Sequence, residues 1–143
     1  MAYNILIVDD SAIVRAVVAR TLGMAGIEIA QIHQAANGQE ALNLLEQRWI
    51  DIVFSDINMP VMNGMELVER MSAKGLMRSI PVVIISTDRS VTRMEEMKAR
   101  GVSAYLNKPF TPESVKAVID DLLAKGLIGG QPRQDEPPPG GNT

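Results

Sequence analysis

The chain has no cysteine. That excludes disulfides, thiolate metal sites and cysteine nucleophiles. It has one histidine, His33. One histidine cannot build a multi-histidine metal centre, and the usual proton shuttle of most hydrolases is missing. No apolar run approaches the roughly 18–20 residues that span a bilayer. The run from Ile5 to Val8 is far too short. The N-terminus lacks the basic segment and longer apolar core of a signal peptide, so the expected location is cytoplasmic. Charge of either sign is scarce in the balance: the net is −3. That is too mild to make nucleic acid or membrane the main partner.

What is present suits one globular domain. The chain has 143 residues, 46% of them hydrophobic, enough for a real core. Short β-branched runs recur at Tyr3 to Val8, Ile52 to Phe54, Val82 to Ile85 and Val102 to Leu106. Such runs are strands buried on both faces, as in a parallel sheet. Glu28 to Gln34 mixes polar and apolar residues and belongs at a sheet edge.

Helical patterns lie between the strands. Ile13, Val14, Val17, Val18, Thr21 and Leu22 form a stripe that excludes Arg15 and Arg20, with Ser11 as cap. Asn37 with Glu40, and Asn63 with Glu66, have capping-box spacing. They precede the faces Ala41, Leu42, Leu45 and Leu67, Val68, Met71. Ser90 can cap a helix carrying Val91, Met94 and Met97. Thr111 followed by Pro112 is a cap with proline at the first helical position. Val115, Val118, Ile119, Leu122 and Leu123 then face the core. The order βαβαβαβαβα predicts a doubly wound α/β fold around a five-stranded parallel sheet. The domain is expected over residues 1–125. Residues 126–143, rich in glycine and proline, are expected to form a flexible tail.

In an open parallel sheet, ligands bind beyond the carboxyl ends of the strands. Asp9 and Asp10 follow the first strand here. Asp56 and Asn58 follow the third, Ser86, Thr87 and Asp88 the fourth, and Lys108 and Pro109 the fifth. Carboxylates about 5 Å apart repel by roughly 3 kcal/mol at an effective dielectric of about 20. A hard cation relieves this, and an all-oxygen cluster suits Mg²⁺. Lys108 alone cannot offset three carboxylates. The pattern is that of a Mg²⁺ site with room for an incoming anion, a phosphoryl group being the natural one. Asp56, leaving the central strand, is the best nucleophile and would form an acyl phosphate. Lys108 and the Ser86 hydroxyl would bond the equatorial oxygens.

Each residue taken singly has a plainer reading. The acidic pair could cap a helix, Asp56 could be a turn residue, and Ser86 could be a cap. Lys-Pro is a common surface dipeptide, and Tyr105 could fill the core. Trp49, Met94 and Met97 read as packing. His33 reads as an edge-strand residue rather than a phosphodonor. The coincidence of the first group on one sheet edge carries the functional reading.

These residues resemble the receiver domain of two-component response regulators, in the style of the single-domain chemotaxis type. The stretches that match are Ile-Leu-Ile-Val-Asp9-Asp10-Ser, Asp56-Ile-Asn58-Met-Pro-Val-Met-Asn-Gly64, Pro-Val-Val-Ile-Ile-Ser86 and Ala104-Tyr105-Leu-Asn-Lys108-Pro109-Phe110. The resemblance covers about Tyr3 to Lys125. It implies strand order 2-1-3-4-5 in a flavodoxin-like three-layer sandwich. It implies Asp56 as phosphoacceptor from a histidine kinase. Asp10, Asp56 and the Asn58 carbonyl would hold Mg²⁺, with Asp9 acting through water. Ser86 and Lys108 would meet the phosphoryl group, Tyr105 would turn inward with Ser86, and Lys108–Pro109 would be cis. Output to a downstream protein would run through the fourth helix, fifth strand and fifth helix. Ser86 stands where threonine is more frequent, and Thr87 where a smaller residue is common, so Thr87 would restrict access to the phosphoryl group.

Other classes fit less well. An aspartyl-phosphate phosphatase needs Asp-x-Asp after the first strand, and here the two are adjacent. A flavin carrier needs a Ser/Thr-rich loop there and stacking aromatics, which are 3% of the chain. Two variants of the leading reading stay open: a receiver piece of a longer regulator, and a receiver that binds partners without phosphorylation. On the leading reading the module is expected to be a phosphoacceptor signalling protein rather than an enzyme.

Overall fold

A computed structural model describes residues 2–128. Five strands alternate with five α-helices. The order is β1 (Tyr3–Val8), α1 (Ala12–Met24), β2 (Ile29–Ala35), α2 (Gly38–Gln47), β3 (Ile52–Ser55), α3 (Gly64–Ala73), β4 (Val82–Ser86), α4 (Val91–Ala99), β5 (Ala104–Asn107) and α5 (Pro112–Ala124). A short 3₁₀ turn, Leu76–Arg78, follows α3; three residues are too few to show a period. Every strand pair is parallel, and the spatial order is β2-β1-β3-β4-β5. The expected fold and strand order are what the chain adopts.

Strand alternation splits the core into two layers. Leu6, Val8, Val53, Val82 and Ile84 face α2, α3 and α4. Ile5, Ile7, Ile52, Phe54, Val83 and Ile85 face α1 and α5. All of these residues are buried, which explains the continuous apolar runs. β2 is half exposed, and His33 sits on this edge strand. Burial holds the His33 imidazole below its ordinary range, with Arg48 adding to the effect.

The predicted caps all form: Ser11, Asn37, Asn63, Ser90 and Thr111 each accept a backbone N–H at N3. One detail differs. Glu40 reaches back to the N–H of Ala36 rather than to that of Asn37.

Four apolar helix residues turn out to be exposed. Ile13 and Val17 belong to the expected α1 stripe but are 78% and 52% exposed. The buried face of α1 is narrower, built on Val18 and Leu22. Val91 and Leu123 are likewise exposed. Periodicity marks one helix side as apolar; it does not say how wide the core contact is. Beyond Lys125, Ile128 still packs against the domain. The Ile128 N–H bonds to the Leu122 carbonyl, and its side chain is buried in the α1–α5 layer. The rest of the expected tail lies outside the described residues. No described helix is long and apolar enough to cross a membrane.

Val61 stands out between β3 and α3. It has φ +66°, and the Met62 N–H bonds back to the Pro60 carbonyl at 2.7 Å. A β-branched residue pays steric strain in this region, of order 1–2 kcal/mol. Its side chain is 80% exposed and recovers little by packing. Val61→Gly is therefore expected to stabilise the fold by about 1 kcal/mol, with Val61→Asn between the two. Thermal melts measure this. A glycine variant that melts below the wild type would refute the strain.

Candidate functional site

The sheet order reverses between β1 and β3, since β1 leads first to β2 and then across to β3. A crevice opens at such a switch point. Val8 pairs with Ser55 there, so the residues just beyond, Asp9, Asp10 and Asp56, emerge side by side. Carboxylate oxygens of all three lie within 4.8 Å of one another.

Asp9 is buried, and all its polar groups are engaged. Its N–H bonds to the Ala35 carbonyl. Oδ1 accepts the Ser11 N–H at 2.9 Å, and Oδ2 accepts Lys108 Nζ at 3.2 Å. Its backbone oxygen accepts Arg15 Nη1 at 2.6 Å. Asp10 is exposed at the rim. Asp56 lies between them in depth. Its Oδ1 accepts the Ile57 N–H at 2.8 Å, and its Oδ2 faces Lys108 Nζ at 3.4 Å. Lys108, from the end of β5, thus spans two carboxylates. The bond from Lys108 to Pro109 is cis.

Burial pushes the Asp56 carboxyl above the ordinary carboxylate range, and the charge of Asp9 pushes the same way. The Ile57 N–H and Lys108 pull it back without cancelling the rise. One ammonium against three carboxylates leaves net negative charge in a concave oxygen cluster. That donor set fits a small hard cation.

Ser86 and Tyr105 are not joined to the carboxylates. Both bond to Asp88. Buried Ser86 Oγ accepts the Asp88 N–H at 3.1 Å, and Tyr105 Oη donates to the Asp88 carbonyl at 2.8 Å. Asp88 itself caps the next turn through the Ser90 N–H at 2.8 Å and faces Arg93. Asn58 is exposed just beyond Asp56, and Thr87 is exposed beside Ser86. Trp49 is remote from these groups. Its indole N–H donates to Asp51, which also accepts the Asn4 N–H at the start of β1.

Two site residues escaped sequence reasoning. Arg15 holds the Asp9 backbone, a contact with no sequence signature. Gly64 had only its place in the motif. Its N–H bonds to the Ile57 carbonyl at 2.7 Å. A Cβ there would lie 2.9 Å from Ile57 Cα and overlap the Asp56 carbonyl. Only glycine lets α3 start against the strand end that carries Asp56.

The family model of the response regulator receiver domain matches residues 5–120. The chain belongs to this family. As a receiver domain it is a signalling module of two-component systems, and the family implies phosphorylation on aspartate. It is 32% identical over 124 residues to a chemotaxis protein CheY homolog of Campylobacter jejuni, covering 86% of this chain and 94% of that one. It is 32% identical to chemotaxis protein CheY1 of Helicobacter pylori over 121 residues, covering 84% and 96%. The solved structure of the chemotaxis response regulator CheY4 of Vibrio cholerae superimposes with a TM-score of 0.75 at 35% identity, covering 86% of this chain and all of that one. Receiver domains hold a metal at an acidic cluster of the kind formed here by Asp9, Asp10 and Asp56.

The raised Asp56 carboxyl has a consequence for stability. The folded state binds this proton more tightly than the unfolded state does. Ionised Asp56 therefore costs stability above its folded pKa, and the cost fades as pH falls toward the unfolded value. In EDTA, Asp56→Asn should melt above the wild type at pH 8. The gap should close as pH falls through the carboxylate range. A variant that melts below the wild type at pH 8 would contradict this.

Proposed function

We propose that Asp56 is the phosphoacceptor of this receiver domain and that its donor is the phosphohistidine of a histidine kinase. The carrying observation is the convergence of three carboxylates within 4.8 Å, with Lys108 Nζ at 3.2 and 3.4 Å from two of them. Asp10, the Asp56 side chain and the Asn58 backbone carbonyl would hold Mg²⁺, with Asp9 supporting through water. Asp9 suits an indirect role because it is the most buried of the three and its carboxylate is held by the Ser11 N–H and Lys108. When bound, the cation supplies charge neutralisation for the carboxylates and the incoming phosphoryl oxygens.

The chain's own groups do the rest. An Asp56 oxygen attacks phosphorus in line, and the bond to the donor nitrogen breaks as the acyl phosphate forms. The Ile57 N–H holds the other Asp56 oxygen, which orients the attacking one. Lys108 already reaches Asp56 and takes an equatorial phosphoryl oxygen. Ser86 supplies a hydroxyl donor to another once it leaves the Asp88 N–H. Tyr105, released from the Asp88 carbonyl, turns inward. The face of α4, β5 and α5 then changes its affinity for a downstream protein, by a population shift between two states. The setting is the cytoplasm.

Phosphorylation tests the reading. Incubation with Mg²⁺ and a phosphorylated histidine kinase, or with acetyl phosphate, should add one base-labile phosphoryl group. Asp56→Asn should take up none. Equal incorporation in the variant would defeat Asp56 as the acceptor; no incorporation from either donor would defeat the reading and favour a receiver that binds partners without phosphorylation.

Thr87 tests the access reading. It is exposed next to Ser86 and shields one approach to the phosphoryl group. Thr87→Ala should lose the phosphoryl group several-fold faster. An unchanged half-life would sink this role for Thr87.

A further inference from the structure

The metal reading leaves one group unexplained: a cation placed beside a site for cations. Arg15 is half-buried in the first turn of α1. Its guanidinium is forked between two acceptors. Nη1 donates to the Asp9 backbone oxygen at 2.6 Å, and Nε donates to Gln34 Oε1 on β2 at 3.0 Å. As a charge alone, it opposes binding of a divalent cation at the neighbouring carboxylates. As a geometric device, it does the reverse.

The geometry favours the second role. The Asp9 oxygen belongs to the peptide that joins Asp9 to Asp10. Asp9 is fixed on its other sides by Ala35, Ser11 and Lys108. Asp10 is exposed, and among the described residues no hydrogen bond or ion pair restrains its carboxylate. The peptide plane sets where the Asp10 Cα–Cβ bond points, and hence the arc within which its carboxylate can meet Asp56. Arg15 grips the peptide oxygen with a short charge-assisted bond, and Gln34 on β2 braces the guanidinium from outside. A planar fork can hold both acceptors at once; a lysine ammonium is a single point on a flexible stem.

We propose that Arg15 is a positioning residue. By fixing the Asp9–Asp10 peptide, it aims the Asp10 carboxylate at Asp56 and thereby tightens divalent-cation binding. This rests on the metal reading under Proposed function.

The two roles predict opposite signs. Melting temperature is recorded against Mg²⁺ concentration from an EDTA-stripped start. The dependence yields the dissociation constant of each folded protein, independent of its starting stability. Arg15→Met keeps the length of the stem and removes the charge. Positioning predicts Mg²⁺ binding at least about 5-fold weaker than in the wild type; charge alone predicts tighter binding. Arg15→Lys keeps the opposing charge and loses the fork, so it too should bind Mg²⁺ more weakly than the wild type. An unchanged or smaller dissociation constant in Arg15→Met overturns the proposal. Should that variant fail to fold, an unchanged constant in Arg15→Lys does so. Asp10→Asn separates the two claims. If the wild type gains nothing from Mg²⁺, or Asp10→Asn gains as much, the metal reading itself falls. If the wild type binds and Asp10→Asn does not, a failure in the Arg15 variants counts against Arg15 alone.

Discussion

Everything at the carboxyl edge of this sheet answers to one constraint. Three carboxylates are brought together where strand order reverses, and a single ammonium is set among them. Lys108 reaches Asp9 at 3.2 Å and Asp56 at 3.4 Å. Those contacts tie the tip of β5 to the tips of β1 and β3, across β4. The imbalance of charge is not a defect of the fold. A site with every charge matched would have no use for a cation and no electrostatic reason to admit a phosphoryl group. Leaving the cluster underneutralised costs stability in the empty protein and creates affinity for what completes it.

The scaffold meets that cost with backbone bonds and packing. Asp9 is fixed at all its polar atoms, Asp56 is held by the Ile57 N–H, and Gly64 brings α3 directly onto the Asp56 backbone. Beneath the edge lie two layers of buried apolar side chains. Under the proposed switch, movement would fall to the loop that carries Thr87 and Asp88 rather than to β1 and β3. This is the division expected of a switch: a rigid reacting centre beside an element with two arrangements.

Much of this was legible in the residues. Caps are local, so Ser11, Asn37, Asn63, Ser90 and Thr111 could be read from spacing alone. The acidic edge was legible because a parallel sheet sends every strand end to the same side, whatever the details of packing. What escaped depends on three-dimensional partners. Arg15 sat off the apolar stripe and looked like a solvated residue, yet it holds the Asp9 backbone. Backbone oxygens have no residue type, so a bond to one leaves no pattern. Ile13 and Val17 looked like core because apolar periodicity has the same form whether a helix face meets the sheet or solvent. Ile128 looked like tail because one apolar residue among glycines has no period at all.

The hydrogen bonds around Asp88 set the scale of the proposed switch. Ser86 accepts its N–H, and Tyr105 donates to its carbonyl. Both switch residues are therefore latched to the same residue. Moving one alone breaks one bond and leaves the loop held by the other. Moving the loop frees both. This is a structural reason for the two side chains to move together. A neutral hydrogen bond is worth about 1 kcal/mol net, so two of them bias the resting state by about 2 kcal/mol. That corresponds to roughly a thirty-fold preference, small enough for a ligand to reverse. A phosphoryl group on Asp56 brings charge-assisted bonds to Lys108 and Ser86, each about twice as strong as a neutral one. Lys108 can meet the phosphoryl group in either arrangement, so the differential bond is that of Ser86; charge-assisted and worth about 2 kcal/mol, it would offset the proposed latch.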